Sequence, residues 1–203
     1  RPVLKQIPPP AQKQEKEPEP ALPPPARPAP KRQVLLCPGP VNTSPHVRAA
    51  LGGPDVCHRE PEFSHLMQAI RAKLVHTLGL DARTHAVLIN GSGTAALEAA
   101  VLSCTDPGQK LLVVNNGVYG SRIAQLARIH QIPLVEIRSP LTERPDLGRV
   151  SATLKRDPRI GAVAVVHHET STGMLNPIEE VAGLAKKFRR RLLVDAISSI
   201  GGE

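Results

Sequence analysis

Residues 110–137, KLLVVNNGVYGSRIAQLARIHQIPLVEI, place two short apolar runs on either side of a segment with helical character. The runs 110–115 (KLLVVN) and 134–137 (LVEI) are nearly continuous in apolar residues and show no regular polar alternation. Strands of this kind are covered on both faces, as in parallel sheets with helices packed on the two sides. The stretch therefore predicts a strand–helix–strand unit with a right-handed crossover, in which the helix spans 119–130.

The same alternation continues on both sides of this unit. It predicts further strands at 85–90, 160–167 and 191–195, and further helices at 94–103, 150–156 and 178–189. Two earlier helices are expected, one from the N-cap Ser44 to Gly52-Gly53, and one whose apolar stripe from Phe63 to Leu78 should pack on the core. The pattern is typical of an α/β fold, a three-layer αβα arrangement with a mostly parallel sheet. Ligands of such sheets bind at the carboxyl ends of the strands.

The first 32 residues differ in composition from the rest of the chain. They contain 11 of the 22 prolines, no aromatic residue and almost no large apolar ones. Such a segment cannot bury enough apolar surface to offset its conformational entropy, so we predict a Pro-rich disordered linker at 1–32 and one domain at 33–203. The linker carries +4 of the formal net charge of +8. Because the domain shows no basic stripe with interleaved aromatic residues, nucleic acid is not an expected partner.

The cysteines bear on the compartment in which the protein works. Cys37, Cys57 and Cys104 are odd in number and widely spaced, which argues against a disulfide framework or a zinc site. No apolar run approaches the roughly 20 residues that span a bilayer, and the polar, proline-rich start does not resemble a signal peptide. We therefore expect a cytoplasmic protein with no membrane partner.

The end of the first predicted strand runs into Gly91-Ser92-Gly93-Thr94 and then a helix. Glycines permit a tight turn and a close backbone approach, and the free amides of a helix start attract anions. This turn is either a phosphate site or a plain strand-to-helix turn capped by Ser92. Its Gly-x-Gly-x-x-Ala spacing also matches the loose dinucleotide fingerprint, but no acidic residue follows the next strand to hold a ribose.

Polar or aromatic residues follow the other strands as well. Tyr119, the only tyrosine, stands between glycines at a helix start, where it could stack on a flat ring or be partly buried. The loop 167–173 (HHETSTG) is rich in hydroxyl groups, which favours hydrogen bonding to an anionic or phenolic ligand. A metal site is less favoured there, because neighbouring residues on an extended backbone point in opposite directions.

Asp195 ends the last predicted strand, where a carboxylate is costly to bury without a charged partner. It could cap a following helix or bind Mg²⁺. Alternatively it could face a ring nitrogen and favour the protonated form of that ring by ion pairing.

Taken together, these segments resemble the class V aminotransferases of fold type I, which depend on pyridoxal 5'-phosphate, and most closely the bacterial 2-aminoethylphosphonate–pyruvate transaminases. The resemblance covers the chain from about residue 33 to its end and rests on six collinear blocks. The blocks are LLCPGPVNTSP (35–45), DVCHREPEF (55–63), NGSGTAALEA (90–99), VVNNGVYGSR (113–122), VVHHETSTGMLNPI (165–178) and LLVDAISSIGG (192–202).

The resemblance implies a role for each matching residue. Ser92, Gly93 and Thr94 would hold the cofactor phosphate, and Tyr119 would stack on the ring. Thr170 would bond the cofactor near its phenolic oxygen, Asp195 would pair with the pyridine nitrogen as the catalytic carboxylate, and Ser198 would line the pocket. The substrate would lie near Pro38 and Gly39 and near His58 and Arg59, with no metal ion.

The resemblance also implies the reaction and the partners. The amino group of 2-aminoethylphosphonate would pass to pyruvate, giving phosphonoacetaldehyde and alanine, and the complete family protein would be a homodimer with small-molecule amine and 2-oxo acid substrates. The lysine that binds the cofactor covalently in the family follows the VDAISS block, whereas no lysine follows Asp195 in this chain. We therefore expect residues 33–203 to be a partial, truncated large domain that is inactive alone. An alanine–glyoxylate or serine–pyruvate aminotransferase, an NAD-binding dehydrogenase domain and a non-catalytic truncated product are the alternatives.

Overall fold

The structure is a computed structural model that describes residues 33–202. The predicted linker, residues 1–32, lies outside the described residues, so that interpretation stays a prediction. From Leu35 onward the chain forms one compact unit. No helix of residues 33–202 is both long enough and apolar enough to span a membrane.

Residues 33–202 contain six helices and six strands. In chain order they are α1 (Pro45–Ala50), α2 (Pro61–Thr77), α3 (Gly93–Cys104), β1 (Lys110–Asn115), α4 (Val118–Ile129), β2 (Leu134–Arg138), α5 (Leu147–Arg156), β3 (Ile160–Val166), β4 (His168–Glu169), β5 (Met174–Leu175), α6 (Ile178–Lys187) and β6 (Arg191–Asp195). Local signals explain several of these bounds. Ser44 caps α1 by accepting the Val47 amide, and Asp146 caps α5 by accepting the Arg149 amide.

Four of the strands form one parallel sheet in the order β2-β1-β3-β6. The chain leaves β1 to reach β2 on one side and then crosses to β3 on the other side. The order therefore reverses between β1 and β3, and ligands of open α/β sheets bind at the carboxyl ends of the strands at such a reversal. A short antiparallel pair, β4 and β5, stands just beyond the end of β3.

Helices cover both faces of this sheet. Leu111 and Val113 of β1 pack in one cluster with residues of α3 and α4, whereas Leu112 and Val114 pack in another with residues of α5 and α6. Because both faces of β1 and β3 are buried, their residues read as continuous apolar runs. The predicted three-layer α/β fold with a parallel sheet is confirmed.

The predicted strand at 85–90 is wrong, because residues 85–90 form no strand in the structure. A strand requires a neighbour for its backbone hydrogen bonds, and this segment pairs with none of the six strands in residues 33–202. Two of its apolar side chains are accordingly exposed to solvent, Val87 at 77% and Ile89 at 43%.

The expectation that the α2 stripe packs on a core is also wrong for residues 33–202. α2 forms at the predicted place and is followed by Gly79 with a φ of +64°, but it contains no buried residue. Leu66, Ile70 and Leu74 of the stripe are exposed. Helical periodicity identified the apolar face correctly, but it cannot specify which part of a protein covers that face.

Candidate functional site

A cavity of about 190 Å³ lies at the carboxyl ends of β1, β3 and β6. It brings together four residues predicted to contact the cofactor and two predicted to lie near the substrate. Its lining consists of Pro38, Gly39, Tyr119, Val166, His168, Thr170, Asp195, Ile197 and Ser198. The predicted site residues of three strand ends and of the loop 38–39 therefore share one cavity.

Asp195 is the charged group at the base of this cavity. It is 6% exposed, and its Oδ1 accepts the Ile197 amide at 3.2 Å. Within residues 33–202 its carboxylate forms no ion pair, although such a group at the end of an apolar strand calls for a cation. Burial raises the pKa of Asp195 and is the largest effect, the hydrogen bond from the Ile197 amide partly opposes it, and the Glu169 carboxylate and Arg122 have smaller effects that raise and lower the pKa respectively. The site is thus suited to a ligand that brings a positive charge to Asp195.

The turn 91–94 lies beside Asp195 through Ile197. A Cβ atom on Gly93 would lie 2.8 Å from Ile197 Cδ1, so the turn and the Ile197 side chain are in direct contact. Gly91 has a φ of +155°, which favours glycine. Gly93 thus adjoins Ile197, which lines the cavity, whereas Ser92, Gly93 and Thr94 are not part of the lining.

The helix start at this turn is open to an anion. Ser92 is the N-cap of α3 without a side-chain cap hydrogen bond. The Ser92 carbonyl accepts the amides of Ala95 and Ala96, whereas those of Gly93 and Thr94 form no hydrogen bond within residues 33–202. Free first-turn amides and the positive end of the helix are the elements from which phosphate sites are built.

Tyr119 projects from the first turn of α4, the helix that follows β1. The ring is half-buried and lines the cavity, and the guanidinium carbon of Arg122 lies 5.4 Å from its centroid. Arg122 also donates from Nη1 to Thr94 Oγ1 at 3.3 Å. Arg122 therefore links the aromatic ring to the turn at the start of α3, a contact that sequence reasoning did not predict.

The segment 168–170 closes the cavity from the end of β3. Ser198 Oγ donates to the His168 carbonyl at 3.1 Å and lies 3.3 Å from the His168 Nδ1, so its hydroxyl is already engaged by protein. Thr170 Oγ1, in contrast, forms no hydrogen bond within residues 33–202, and Thr170 lines the cavity. The Thr170 hydroxyl is thus available to a ligand.

The structure does not bring every predicted residue to this place. His58 and Arg59 lie in an exposed turn between α1 and α2, outside the lining of the cavity. Their predicted proximity to a substrate stays a prediction. Within residues 33–202, no group of three or more His, Cys, Asp or Glu side chains is arranged to hold a metal ion.

Comparisons with known proteins show which family and which solved structures the chain is similar to. A family model described as aminotransferase class-V matches residues 46–203. A 2-aminoethylphosphonate–pyruvate transaminase of Vibrio cholerae serotype O1 is 44% identical over 170 residues, which are 83% of this chain and 46% of that protein. The chain thus spans about half the length of the curated relatives it matches.

Two solved structures have the same fold over most of the chain. A pyridoxamine–pyruvate aminotransferase from Mesorhizobium loti has a TM-score of 0.76 at 33% identity, covering 84% of this chain and 43% of the other. An alanine–glyoxylate aminotransferase from Nostoc sp. has a TM-score of 0.74 at 35% identity, covering 83% of this chain and 44% of the other.

Proposed function

The chain belongs to the class-V aminotransferase family, and from this premise we propose that it contributes the cofactor-binding region of an enzyme that transfers the amino group of 2-aminoethylphosphonate to pyruvate. The products are phosphonoacetaldehyde and alanine. The cofactor implied by the family is pyridoxal 5'-phosphate. One observation carries this function: a buried carboxylate with no ion pair in residues 33–202, Asp195, shares a cavity with an aromatic ring and a free hydroxyl.

The residues present fit this cofactor. Asp195 has a raised pKa and calls for a cation, which a pyridine ring supplies when its nitrogen is protonated. The amides of Gly93 and Thr94 have no partner within residues 33–202, as a phosphate site requires. The cavity is smaller than the roughly 300–1,000 Å³ of complete small-molecule sites, so these residues supply only part of the enclosure.

Each of these residues has a defined task in the proposed site. Pyridoxal phosphate, when bound, supplies an electron sink for the carbon that carries the amino group. Asp195 holds the proton on the pyridine nitrogen, because its carboxylate favours the charged form of the ring. Tyr119 stacks on the ring, Thr170 donates to the phenolic oxygen, and the turn 92–94 binds the phosphate.

The 203 residues contain no lysine after Asp195, and Lys186 and Lys187 precede it on α6. The resemblance places the cofactor-binding lysine after this point, so neither Lys186 nor Lys187 is proposed for that role. Proton transfer at the substrate carbon requires a positioned base, which that lysine provides in the family. Dimerisation of the complete protein and a cytoplasmic location belong to the same proposal.

A second candidate is transfer between alanine and glyoxylate. It is favoured by the similarity to the Nostoc alanine–glyoxylate aminotransferase at 35% identity. We prefer the phosphonate donor because the transaminase of Vibrio cholerae reaches 44% identity over a similar share of the chain.

Two measurements test this function. In the first, pyridoxal phosphate is titrated into the 203-residue chain and into an Asp195→Ala variant, with the visible absorption of the cofactor as the signal. We expect saturable binding that the variant weakens at least about tenfold, since an ion pair in a buried site is lost. Equal binding by both chains would refute the assigned site.

In the second, a natural chain that extends beyond residue 203 and carries the family lysine is assayed with 2-aminoethylphosphonate and pyruvate, and with alanine and glyoxylate. Formation of alanine from pyruvate with the phosphonate donor is expected. Activity with alanine and glyoxylate alone would replace the proposed substrate by the second candidate.

A further inference from the structure

The start of α4, the helix that carries Tyr119, is capped by residues about 50 positions away. The N-cap of α4 is Gly117, which has no side chain with which to accept the first amides. Three of these amides are instead bonded by the segment 169–171: Val118 to Ser171 Oγ at 3.3 Å, Tyr119 to Glu169 Oε2 at 3.1 Å and Gly120 to Glu169 Oε2 at 3.2 Å. The free donors of this helix end are therefore satisfied from the strand end next to it.

Glu169 is the central group of this contact. It is fully buried (0% exposed) and forms no ion pair within residues 33–202. Its carboxyl group accepts the two backbone amides at the start of α4 and the hydroxyl of Ser171, which donates to Oε1 at 2.5 Å. A Cβ atom on Gly117 would lie 2.1 Å from the Glu169 carboxyl carbon, so glycine at 117 makes room for this carboxylate.

Thr170 lies between the two capping residues in the sequence but takes no part in capping α4. Glu169 and Ser171 contact α4, whereas Thr170 lines the cavity with Tyr119 and Asp195. Thr170 and Ser171 lie in the turn that follows β4, which the bonds of the Thr172 and Gly173 amides to the Glu169 carbonyl close, and the chain reverses direction there. A single tripeptide thus fixes the helix that carries the aromatic ring and also presents a hydroxyl to the ligand.

We propose that Glu169 is a positioning residue that sets the place of the Tyr119 ring in the cavity by holding the first turn of α4. The inference rests on the proposed function, because the ring matters only if a flat cofactor stacks on it. Glu169 acts through the backbone of Tyr119, and it is not part of the cavity lining. Loss of the capping bonds frees the turn that carries the ring, so the ring loses its fixed environment while α4 persists beyond that turn.

The sequence supplies a specific probe of this ring. Tyr119 is the only tyrosine and there is no tryptophan, so the tyrosine band of the near-ultraviolet circular dichroism spectrum reports Tyr119 alone. The measurement needs no cofactor, and its outcome is therefore independent of whether the proposed function is correct.

The test compares the 203-residue chain with four variants, using far-ultraviolet spectra to establish folding. Glu169→Ala removes the acceptor, and Glu169→Asp shortens its reach while keeping the charge. Glu169→Gln keeps an oxygen for the two amides, and Glu180→Ala, an exposed residue of α6, is the control. We expect Glu169→Ala and Glu169→Asp to lose most of the tyrosine band, and Glu169→Gln and Glu180→Ala to retain it.

A full tyrosine band in folded Glu169→Ala would overturn the proposal. If Glu169→Ala does not fold, the Glu169→Asp variant decides in the same way. A titration with pyridoxal phosphate accompanies the spectra. Failure of the unmodified chain to bind would contradict the proposed function, whereas the response of the tyrosine band still decides the role of Glu169.

Discussion

The side-chain amides of Asn116 and Asn176 donate to each other, Asn116 Nδ2 to Asn176 Oδ1 at 2.8 Å and Asn176 Nδ2 to Asn116 Oδ1 at 3.1 Å. Asn176 Nδ2 also donates to the Val166 carbonyl at 2.9 Å. Both asparagines are buried, one directly after β1 and the other directly after β5. This pair ties the strand end that leads to Tyr119 to the hairpin that carries Thr170.

Asn176→Ala should lower the free energy of unfolding by about 1–3 kcal/mol, because it leaves the Asn116 amide and the Val166 carbonyl buried without these partners. Urea denaturation measures the change. Gln125→Ala, on an exposed position of α4, serves as the control and should change it by less than about 0.5 kcal/mol. A loss no larger for Asn176→Ala than for the control would contradict the structural role of the pair.

Asp195→Asn should raise the melting temperature of the cofactor-free chain at neutral pH. Burial raises the pKa of Asp195, so ionisation of this carboxyl costs more in the folded chain than in the unfolded chain. The cost is absent below the usual pKa of 3.8, grows as the pH rises, and is complete above the raised pKa of the folded state. The advantage of the variant should therefore shrink as the pH falls towards 3.8 and disappear below it.

Melting curves over this pH range, followed by circular dichroism, check the dependence. Glu180→Gln, on an exposed position of α6, controls for the general effect of removing one negative charge. A melting temperature of Asp195→Asn below that of the unmodified chain at neutral pH would show that the Asp195 charge is already compensated. With saturating pyridoxal phosphate the order should reverse, since only the carboxylate favours a protonated ring.

Gly93→Ala should weaken cofactor binding about tenfold with little loss of stability. The new methyl group would lie 2.8 Å from Ile197 Cδ1, and that side chain is 60% exposed, so it can move aside at small cost to the fold. Its movement shifts residues that line the cavity. Absorption titration gives the affinity, and the double variant Gly93→Ala/Ile197→Ala should recover it. Unchanged affinity in the single variant would show that the 91–94 turn does not bind the cofactor.

Thr170→Val should lower cofactor affinity several-fold without lowering the melting temperature, because its hydroxyl forms no hydrogen bond within residues 33–202. Thr172→Val, in the same loop, is the matched control. Thr172 Oγ1 donates to the Glu169 carbonyl at 3.2 Å, so this variant should lower the melting temperature and leave the affinity unchanged. If both variants affected the same property, the Thr170 hydroxyl would not have the ligand-specific role assigned to it.

The sheet and its helices could be predicted from the sequence because their signals are local. The strand at Lys110–Asn115 was predicted to the residue, and the helices at Gly93–Cys104 and Ile178–Lys187 within two residues at each end. Continuous apolar runs in β1 and β3 correctly indicated burial on both faces. The convergence of Tyr119, Thr170 and Asp195 followed from the rule that parallel strands end at the same edge of a sheet.

What the sequence did not reveal depends on contacts between distant segments. The run 85–90 has the composition of a strand, yet pairing depends on a neighbour that composition does not specify. The capping of α4 by Glu169 joins residues 49 and 50 positions apart. Two signals could have suggested it, namely an N-cap glycine at 117 and a lone acidic residue inside a loop of hydroxyl-bearing residues.

The close approach of position 117 to Glu169 also couples the substitutions that evolution can accept at the two positions. Any side chain at 117 would enter the space of the buried Glu169 carboxyl group, which accepts two backbone amides. A single substitution at 117 would therefore displace this group and destabilise the folded chain. Glycine at 117 could be replaced by another residue only if position 169 changes at the same time or earlier. Among descendants of this sequence, a side chain at position 117 should therefore appear only together with a change at position 169 or after one.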